Sequence, residues 1–582
     1  MKIKHVKIRN FRNLGDIDVP LSSSVILVGE NNSGKSNFLK AITLPFLTEE
    51  SGYFGKNLSW IDINDAARQQ YYTFLINYQK EIINGKIDAA SLSKALPVVS
   101  VEVEFEAQPS ELYFVKDMAC SVGEDHLEYK LLYEYKPSKI EDIYALVKSV
   151  LSSNNPLNDV SVKSVKMNLL PTEFYTYSIS VPGKGSISHD ALRMFKYVSL
   201  EAERDDFSRN RERLGSKSLV SLLQRGFTDE DKIKVEQEYN RFFEELKSLS
   251  KMDKIINWQE NSEFSEAKTF FEHISILPNM PAMQSILNSV RLGYSDEELS
   301  LQGLGHRNLI LLLVLTNSLI ARNPDNAFTL LTIEEPEAHL CINNERLMAS
   351  FIKAFTENNS TMQLFYSTHS TEFINKMDLS NVIILHAGKA FAISEEISEE
   401  NRDYLTKNPN TDLFKLFFSR KCILFEGISE EMLLRSYIDS RRELSNIELI
   451  SFHKGYKEIM KIWKKVNEGT SNKLGIIRDY DGEDKAKKEH EKFDDGKSIC
   501  VRTTAEYTLE PEIVLTGNNY TVLREKYGDT LGWKDLTAEQ LQEAWRNAKA
   551  SDMLLICKDL ASGNLMELEM PSHISEVLEF MK

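Results

Sequence analysis

Cysteine is scarce in this chain, and what there is lies scattered. Cys120, Cys341, Cys422, Cys500 and Cys557 are the only five in 582 residues, and no two form a CxxC pair. That spacing excludes a zinc ribbon and a disulfide framework, and it fits a reducing cytosol. Positive charge is also in deficit. Against 87 Asp and Glu there are 70 Lys and Arg, a net charge of −17. Such a chain does not coat nucleic acid by bulk charge, so any such contact needs a local basic surface or bridging metal ions. Long apolar runs are missing too. The first residues alternate polar and apolar without a leader's apolar stretch. The most apolar run, Leu309 to Ala321, is short for a bilayer span and is broken by Thr316, Asn317 and Ser318. It is expected to be a buried helix, in a cytoplasmic protein without membrane association.

What is present is a soluble composition with strand and helix signals in alternation, long enough for two to four domains. No fixed-period repeat appears. Val25-Ile26-Leu27-Val28 reads as a strand at a sheet centre, and Ser36 to Thr43 reads as a helix. Between them runs Gly29-Glu30-Asn31-Asn32-Ser33-Gly34-Lys35-Ser36, followed by Asn37. A glycine-rich loop opening a helix turns backbone N–H groups and the helix's positive end toward one point. Gly29, Asn31, Asn32, Ser33, Gly34, Lys35, Ser36 and Asn37 are therefore the expected phosphate-binding set. Lys35 is expected on the β- and γ-phosphates and Ser36 on Mg2+.

Two later segments fit that loop. Leu330-Leu331-Thr332-Ile333 is an apolar strand delivering Glu334 and Glu335. Glu334, where aspartate is commoner, is expected in the magnesium shell, and Glu335 is expected to polarise an attacking water. Phe365-Tyr366-Ser367-Thr368 leads into His369, placed to bond a γ-phosphate. Val99 to Phe105 alternates as an antiparallel strand. Residues 205 to 275 are charged, with Val235, Tyr239, Phe242, Phe243 and Leu246 at helical spacing. They read as a helical insertion and an interaction surface.

The second half carries a different chemistry. Ser394 to Asn410 is polar and reads as a linker. Beyond it Lys421–Phe425, Leu474–Arg478 and Ser498–Arg502 read as three strands of a separate α/β domain. The first delivers Glu426-Gly427, with Glu430 one helical turn on. The second delivers Asp479 and Asp481, which share a side of an extended segment. Hard oxygen donors of this kind suit Mg2+ or Mn2+.

Phe11-Arg12, the phosphate loop, Ile333-Glu334-Glu335-Pro336-Glu337-Ala338-His339-Leu340 and Ser367-Thr368-His369-Ser370 together resemble the ABC-type ATPases related to RecF and structural-maintenance proteins. The matching signature loop is Ser300-Leu301-Gln302-Gly303-Leu304-Gly305, which departs from the usual Leu-Ser-Gly-Gly-Gln and puts the hydrolysis rate in doubt. The paired acid segments resemble the Toprim domain. In its nuclease branch a further glutamate joins the metal site, matched best by Glu506 and second by Glu510, and a late lysine is matched by Lys558. An ATPase followed by a Toprim domain looks like the OLD family of nucleases, over essentially the whole chain.

That resemblance implies an α/β fold in four segments. These are an ABC-type ATPase over 1–204 and 276–415, a helical dimerisation insertion over 205–275, and a Toprim nuclease over 416–582. It implies ATP and Mg2+ or Mn2+ as cofactors, with metal on Glu426, Glu430, Asp479, Asp481, Glu506 and Ser36. It implies an endonuclease acting on DNA in anti-phage defence, as a homodimer or larger homo-oligomer. The compact C-terminal part is nearest the standalone and retron-associated branches, and the latter implies a reverse transcriptase with its retron nucleic acid as partner. The rival reading is a RecF-like repair ATPase whose Toprim domain does not cleave.

Overall fold

The computed structural model describes the chain apart from residues 49–55, 123–125, 155, 203–213, 251–280, 282, 288, 296, 323–325, 359–361, 401, 404–410, 440, 453–455, 481–483, 507 and 549. The described residues form two compact units. One comprises Met1–Ala202, Ala327–Glu337 and Glu345–Lys582; the other comprises Glu203–Asn326 with Ala338–Asn344.

The first unit is mixed α/β and contains three sheets. The N-terminal strands Lys2–Phe11 and Leu14–Pro20 join Val99–Glu106, His126–Pro137, Tyr175–Val181 and Gly185–Ser186 in an antiparallel sheet, with Ala119–Val122 alongside. Val99–Glu106 alternates buried and part-exposed residues along its length, as expected of a strand with one face on a core. The second sheet has the spatial order Lys389–Ala392, Val382–His386, Ser24–Val28, Met362–Ser367, Phe328–Glu334, Phe195–Leu200 and Leu47–Thr48. All its pairings are parallel except that of the edge strand Lys389–Ala392. Ser24–Val28 and Met362–Ser367 are buried at every position, as strands covered on both faces are. Each fully buried Val, Ile or Leu there contributes about 1.5–3 kcal/mol of transfer free energy. Lys35–Thr43 is the helix that follows the phosphate loop. Lys56 donates to the carbonyls of Thr43, Leu44 and Phe46, closing the helix's C-terminal end.

The third sheet is parallel, in the order Glu448–Ser451, Lys421–Phe425, Lys473–Arg478, Ile499–Thr503. It has its own hydrophobic core, which includes Ile423, Leu433, Ile477, Leu509, Trp533, Trp545 and Val577. Three of its strands are those expected from sequence. Glu448–Ser451 is an addition, four residues long and at the edge, too short to show a period. The stretch expected as a linker, Ser394 to Asn410, is in part packed: Ile397 is buried, and 401 and 404–410 lie outside the described residues.

The second unit contains the helices Leu214–Gly226, Asp229–Ser250 and Leu304–Arg322. On Asp229–Ser250, Ile233, Phe242, Leu246 and Leu249 are exposed. Leu304–Ala321 is long and apolar enough to cross a bilayer by length and composition. Its Leu311, Leu312, Leu315 and Leu319 are buried, together with Asn308, Thr316 and Ser318. The signature candidate Ser300–Gly305 straddles a short helical turn at Leu299–Leu301 and the start of this long helix.

Candidate functional site

At the phosphate loop, Gly34 has φ +111°, a conformation that L side chains rarely adopt. A Cβ there would also meet Leu14 Cδ2 at 2.7 Å and Asn13 Oδ1 at 2.9 Å. Asn32 takes φ +65°, which its short amide tolerates. The loop thus curls around Lys35, whose Nζ donates to the carbonyls of Gly29 (3.0 Å) and Glu30 (2.8 Å). Burial pulls the Lys35 ammonium down to about 8, against the opposing charges of Glu335, Glu337 and Glu30.

The acid strand arrives beside it. Ser36 Oγ donates to Glu334 Oε2 at 3.0 Å, across 298 residues of chain. This joins the two groups expected to share one magnesium ion. Glu335 takes φ +43°, an uncommon conformation for a residue with a Cβ, and its N–H donates to the Ser367 carbonyl at 3.1 Å. That turn carries the Glu335 carboxylate toward His369, with Nε2 3.8 Å from Oε1. Burial and the Lys35 charge hold His369 below the ordinary histidine range, while Glu335 pulls the other way. Asn31, Asn32, Ser33 and Gly34 lie in the loop, and Asn37 Oδ1 accepts from Arg12 Nη1 at 3.0 Å.

Glu337 is a functional candidate that the sequence reading passed over. Its Oε1 accepts from Thr368 Oγ1 (2.7 Å) and the His369 N–H (2.8 Å), fixing the backbone of the histidine loop. Burial raises its carboxyl, although those hydrogen bonds oppose the rise. The signal was available, since Glu337 is the third acid in Glu334-Glu335-Pro336-Glu337.

The second constellation stands at the carboxyl ends of Lys421–Phe425 and Lys473–Arg478, which are hydrogen-bonded neighbours. Glu426 follows the first and Asp479 the second. Arg478, buried, brings Nε within 3.8 Å of Glu426 Oε1 and Nη1 within 3.2 Å of His490 Nδ1. Glu430, in the first turn of Ile428–Asp439, is buried and folds back over Gly427. A Cβ at Gly427 would lie 2.4 Å from Glu430 Oε2, so this position has to be glycine for the carboxylate to stay where it is. Burial raises the Glu430 carboxyl, and the Glu510 charge adds to it; backbone N–H groups and His573 oppose. Asp481 lies outside the described residues.

Of the two glutamates weighed for the next position, Glu510 is the one brought to Glu430. It is buried, and Ser429 Oγ donates to its Oε1 at 2.9 Å. Glu506 is exposed, and its carbonyl accepts from Thr504 Oγ1 at 2.7 Å. The helix Leu509–Leu515 explains the difference, because Glu510 sits in its first, buried turn while Glu506 precedes it. Beside Glu510 lies a pair that sequence reasoning missed. Buried His573 Nδ1 is 2.8 Å from Glu512 Oε1, and the Ala505 N–H donates to Glu512 Oε2 at 2.8 Å. Burial would push Glu512 up, but His573 and the backbone donors outweigh it and hold the carboxyl below its ordinary value. Lys558 is exposed on Ala550–Ala561, a helix that packs against Ile428–Asp439. Among the described residues no group of three or more His, Cys, Asp or Glu is placed to hold a metal ion.

Known proteins place these two constellations in context. Two proteins called endonuclease GajA, from Bacillus cereus strains VD045 and HuB5-5, are each 22% identical to this chain. The first alignment covers 75% of this chain and 68% of the relative, the second 78% and 70%. Among solved structures, the SMC head domain from Thermotoga maritima is 14% identical, covering 67% of this chain and 97% of that one at a TM-score of 0.27. The Smc head domain with an extended coiled coil from Pyrococcus furiosus, bound to the C-terminal domain of ScpA, is 13% identical, covering 70% and 99% at a TM-score of 0.32. The profile of the AAA ATPase domain, AAA_15, matches residues 1–374. That span takes in the phosphate loop, the Glu334–Glu335 strand and His369 in their order, and on it this chain belongs to the AAA ATPase domain family.

Proposed function

We propose that this chain is an ATP-regulated, divalent-metal-dependent DNA endonuclease of the OLD kind, with residues 416–582 as its Toprim-type nuclease domain and 205–275 as its dimerisation insertion. The observation that carries the reading is the placement of Glu426 and Asp479. They stand at the carboxyl ends of two paired parallel strands, with buried Glu430 and Glu510 behind them. Ligand-binding groups gather at this end of parallel α/β sheets. The GajA alignments add support. The family match accounts for less than two thirds of the chain, so alignments covering 75% and 78% must run past residue 374.

The donors fit a hard cation. They are all carboxylate oxygens, and the crowding of Glu430 by Glu510 is of the kind a dication relieves. Glu426, Glu430 and Asp479 would hold Mg2+ or Mn2+, with Asp481 and either Glu506 or Glu510 as further ligands. When bound, such an ion lowers the pKa of water toward neutrality and stabilises the charge on a leaving phosphate oxygen. The protein's own part is to fix the acids at the strand ends and to meet the charged phosphate with a cation, for which Lys558 is the candidate. At the other site Lys35 and Ser36 would take the phosphates and magnesium of ATP. Glu334 would complete the ion's shell, Glu335 would orient water, and His369 would meet the γ-phosphate. A homodimer, a cytoplasmic role in anti-phage defence and, in the retron-associated branch, a reverse-transcriptase partner belong to the same reading. The exposed Ile233, Phe242, Leu246 and Leu249 support self-association.

The test is supercoiled plasmid incubated with the full chain in Mg2+ and in Mn2+, with and without ATP. Nicked or linear product that disappears with Asp479→Ala is the expected result. Plasmid left intact in both metals overturns the reading and leaves a RecF-like ATPase with a non-cleaving C-terminal domain.

A further inference from the structure

One residue of the phosphate loop also holds the sheet that carries the acid cluster. The Glu30 carbonyl accepts from Lys35 Nζ at 2.8 Å and from the Ser33 N–H at 3.2 Å. The Glu30 carboxylate points the other way. Its Oε2 accepts from Arg420 Nε at 2.7 Å and its Oε1 from Asn472 Nδ2 at 3.2 Å. Arg420 immediately precedes Lys421–Phe425, and Asn472 immediately precedes Lys473–Arg478. These strands pair in register, Lys421 with Lys473, and the Lys473 N–H donates to the Arg420 carbonyl at 2.9 Å. Glu30 therefore straddles the starting ends of the two strands whose far ends deliver Glu426 and Asp479. At about 3.3 Å per residue those acids lie roughly 20 Å further along.

The grip is ordered. Asn472 is buried, and its amide also donates to Asn467 Oδ1 at 2.8 Å. The Arg420 side chain is 74% exposed, so its ion pair contributes modestly and Asn472 is the firmer hold. A second nucleotide-site group reaches the same place. The His369 ring packs on that of Phe418, centroids 5.6 Å apart, two residues before Arg420.

We propose that Glu30 is the link by which nucleotide binding reaches the acid cluster, through Asn472 and Arg420 at the roots of its two strands. The inference rests on the endonuclease reading for its output but not for its input. Arriving phosphates take Lys35 Nζ from the Glu30 carbonyl, because the same ammonium serves both. Glu30 then shifts, and its carboxylate carries the shift to the paired strand starts. A packed parallel pair moves as a body rather than bending, so the displacement appears at the carboxyl ends.

The experiment uses the full chain and the variants Asn472→Ala and Arg420→Ala, at residues outside both the phosphate loop and the acid cluster. Two readouts are taken at saturating Mg-ATP. The first is the ratio of plasmid-cleavage rates with and without ATP. A coupling in the common range of about 5–150-fold should fall below about twofold in Asn472→Ala and by a smaller factor in Arg420→Ala, with nucleotide-free cleavage retained. The second is hydrogen exchange of the amides in Lys421–Phe425 and Lys473–Arg478. ATP should change their protection in the wild type and not in Asn472→Ala. A wild-type ATP ratio in both variants overturns the proposal, as does wild-type exchange in those strands that ignores ATP. ATP-dependent exchange in a wild type that cuts no DNA overturns the endonuclease reading and leaves the link standing. Arg420→Ala removes only a surface side chain, so a folding failure of Asn472→Ala still leaves a variant to read.

Discussion

The phosphate loop and the acid cluster are two ways of building a charged site from strand ends. The first is made mainly of backbone: carbonyls that receive Lys35, and N–H groups displayed by a curl that Gly34 permits. The second is made of side chains, brought together by the register of two parallel strands and by helices that begin behind them. A backbone site is specified over eight consecutive residues. A side-chain site is specified over the 85 positions from Glu426 to Glu510, and every helix that packs against the sheet has a say in it.

The comparison can be broken most sharply at Asp479. Asp479→Ala should cut cleavage by more than the 10–100-fold that outer-shell partners typically cost, while ATP binding measured by calorimetry stays unchanged. Lys35→Ala should do the reverse. Nucleotide affinity falls by about 2–5 kcal/mol, the range for losing one partner of a buried charged contact, with the acid cluster's metal affinity intact. Gly427→Ala comes next. The added methyl displaces the Glu430 carboxylate, so the concentration of Mn2+ needed for half-maximal cleavage should rise about 10–100-fold with little change in unfolding midpoint.

A pH series sharpens the contrast. Lys35 titrates near 8 in the folded chain, against about 10.4 for an ordinary lysine. Between these values the unfolded chain holds the extra proton, so this group makes stability rise with pH there. Nucleotide affinity should move oppositely, full below pH 8 and weakening above it as the ammonium is lost. A fluorescent nucleotide titrated from pH 7 to 9.5 should show that slope in the wild type and none in Lys35→Ala. The smallest effect belongs to Lys558→Ala: unfolding free energy should stay within about 0.5 kcal/mol, as for other exposed positions, while cleavage slows with metal affinity unchanged.

Sequence legibility follows the same division. The strands Ser24–Val28, Phe328–Glu334 and Met362–Ser367 announce themselves by their apolar content, and the loop by its glycines and Lys35-Ser36. Glu426 and Asp479 were legible because each ends an apolar strand. Glu510, Glu512 and His573 were not. His573 lies 61 residues beyond Glu512, on a helix whose apolar period looks like plain core, and nothing local marks it as a carboxylate's partner. Choosing between Glu506 and Glu510 needed the start of one helix, which sequence places only to within a turn. Glu30 was hidden for another reason: in a phosphate loop the variable positions read as spacers, and its partners are 390 and 442 residues away.

The hold that distant residues have on the chain's first strands has a consequence for biosynthesis. Gln363 clasps Ile3, its amide nitrogen donating to the Ile3 carbonyl at 2.9 Å and its oxygen accepting the Ile3 N–H at 2.7 Å. Ser24–Val28 likewise has both of its sheet neighbours, Met362–Ser367 and Val382–His386, far downstream. At ribosomal rates of about 5–20 residues per second, the strand feeding the phosphate loop waits roughly 20–70 seconds for its flanks to be made. Through that interval an apolar strand with two open edges is held in an unfinished sheet. A nascent chain stalled before residue 362 would present it to chaperones or to aggregation, and no nucleotide could rescue it, because the pocket that binds nucleotide does not yet exist.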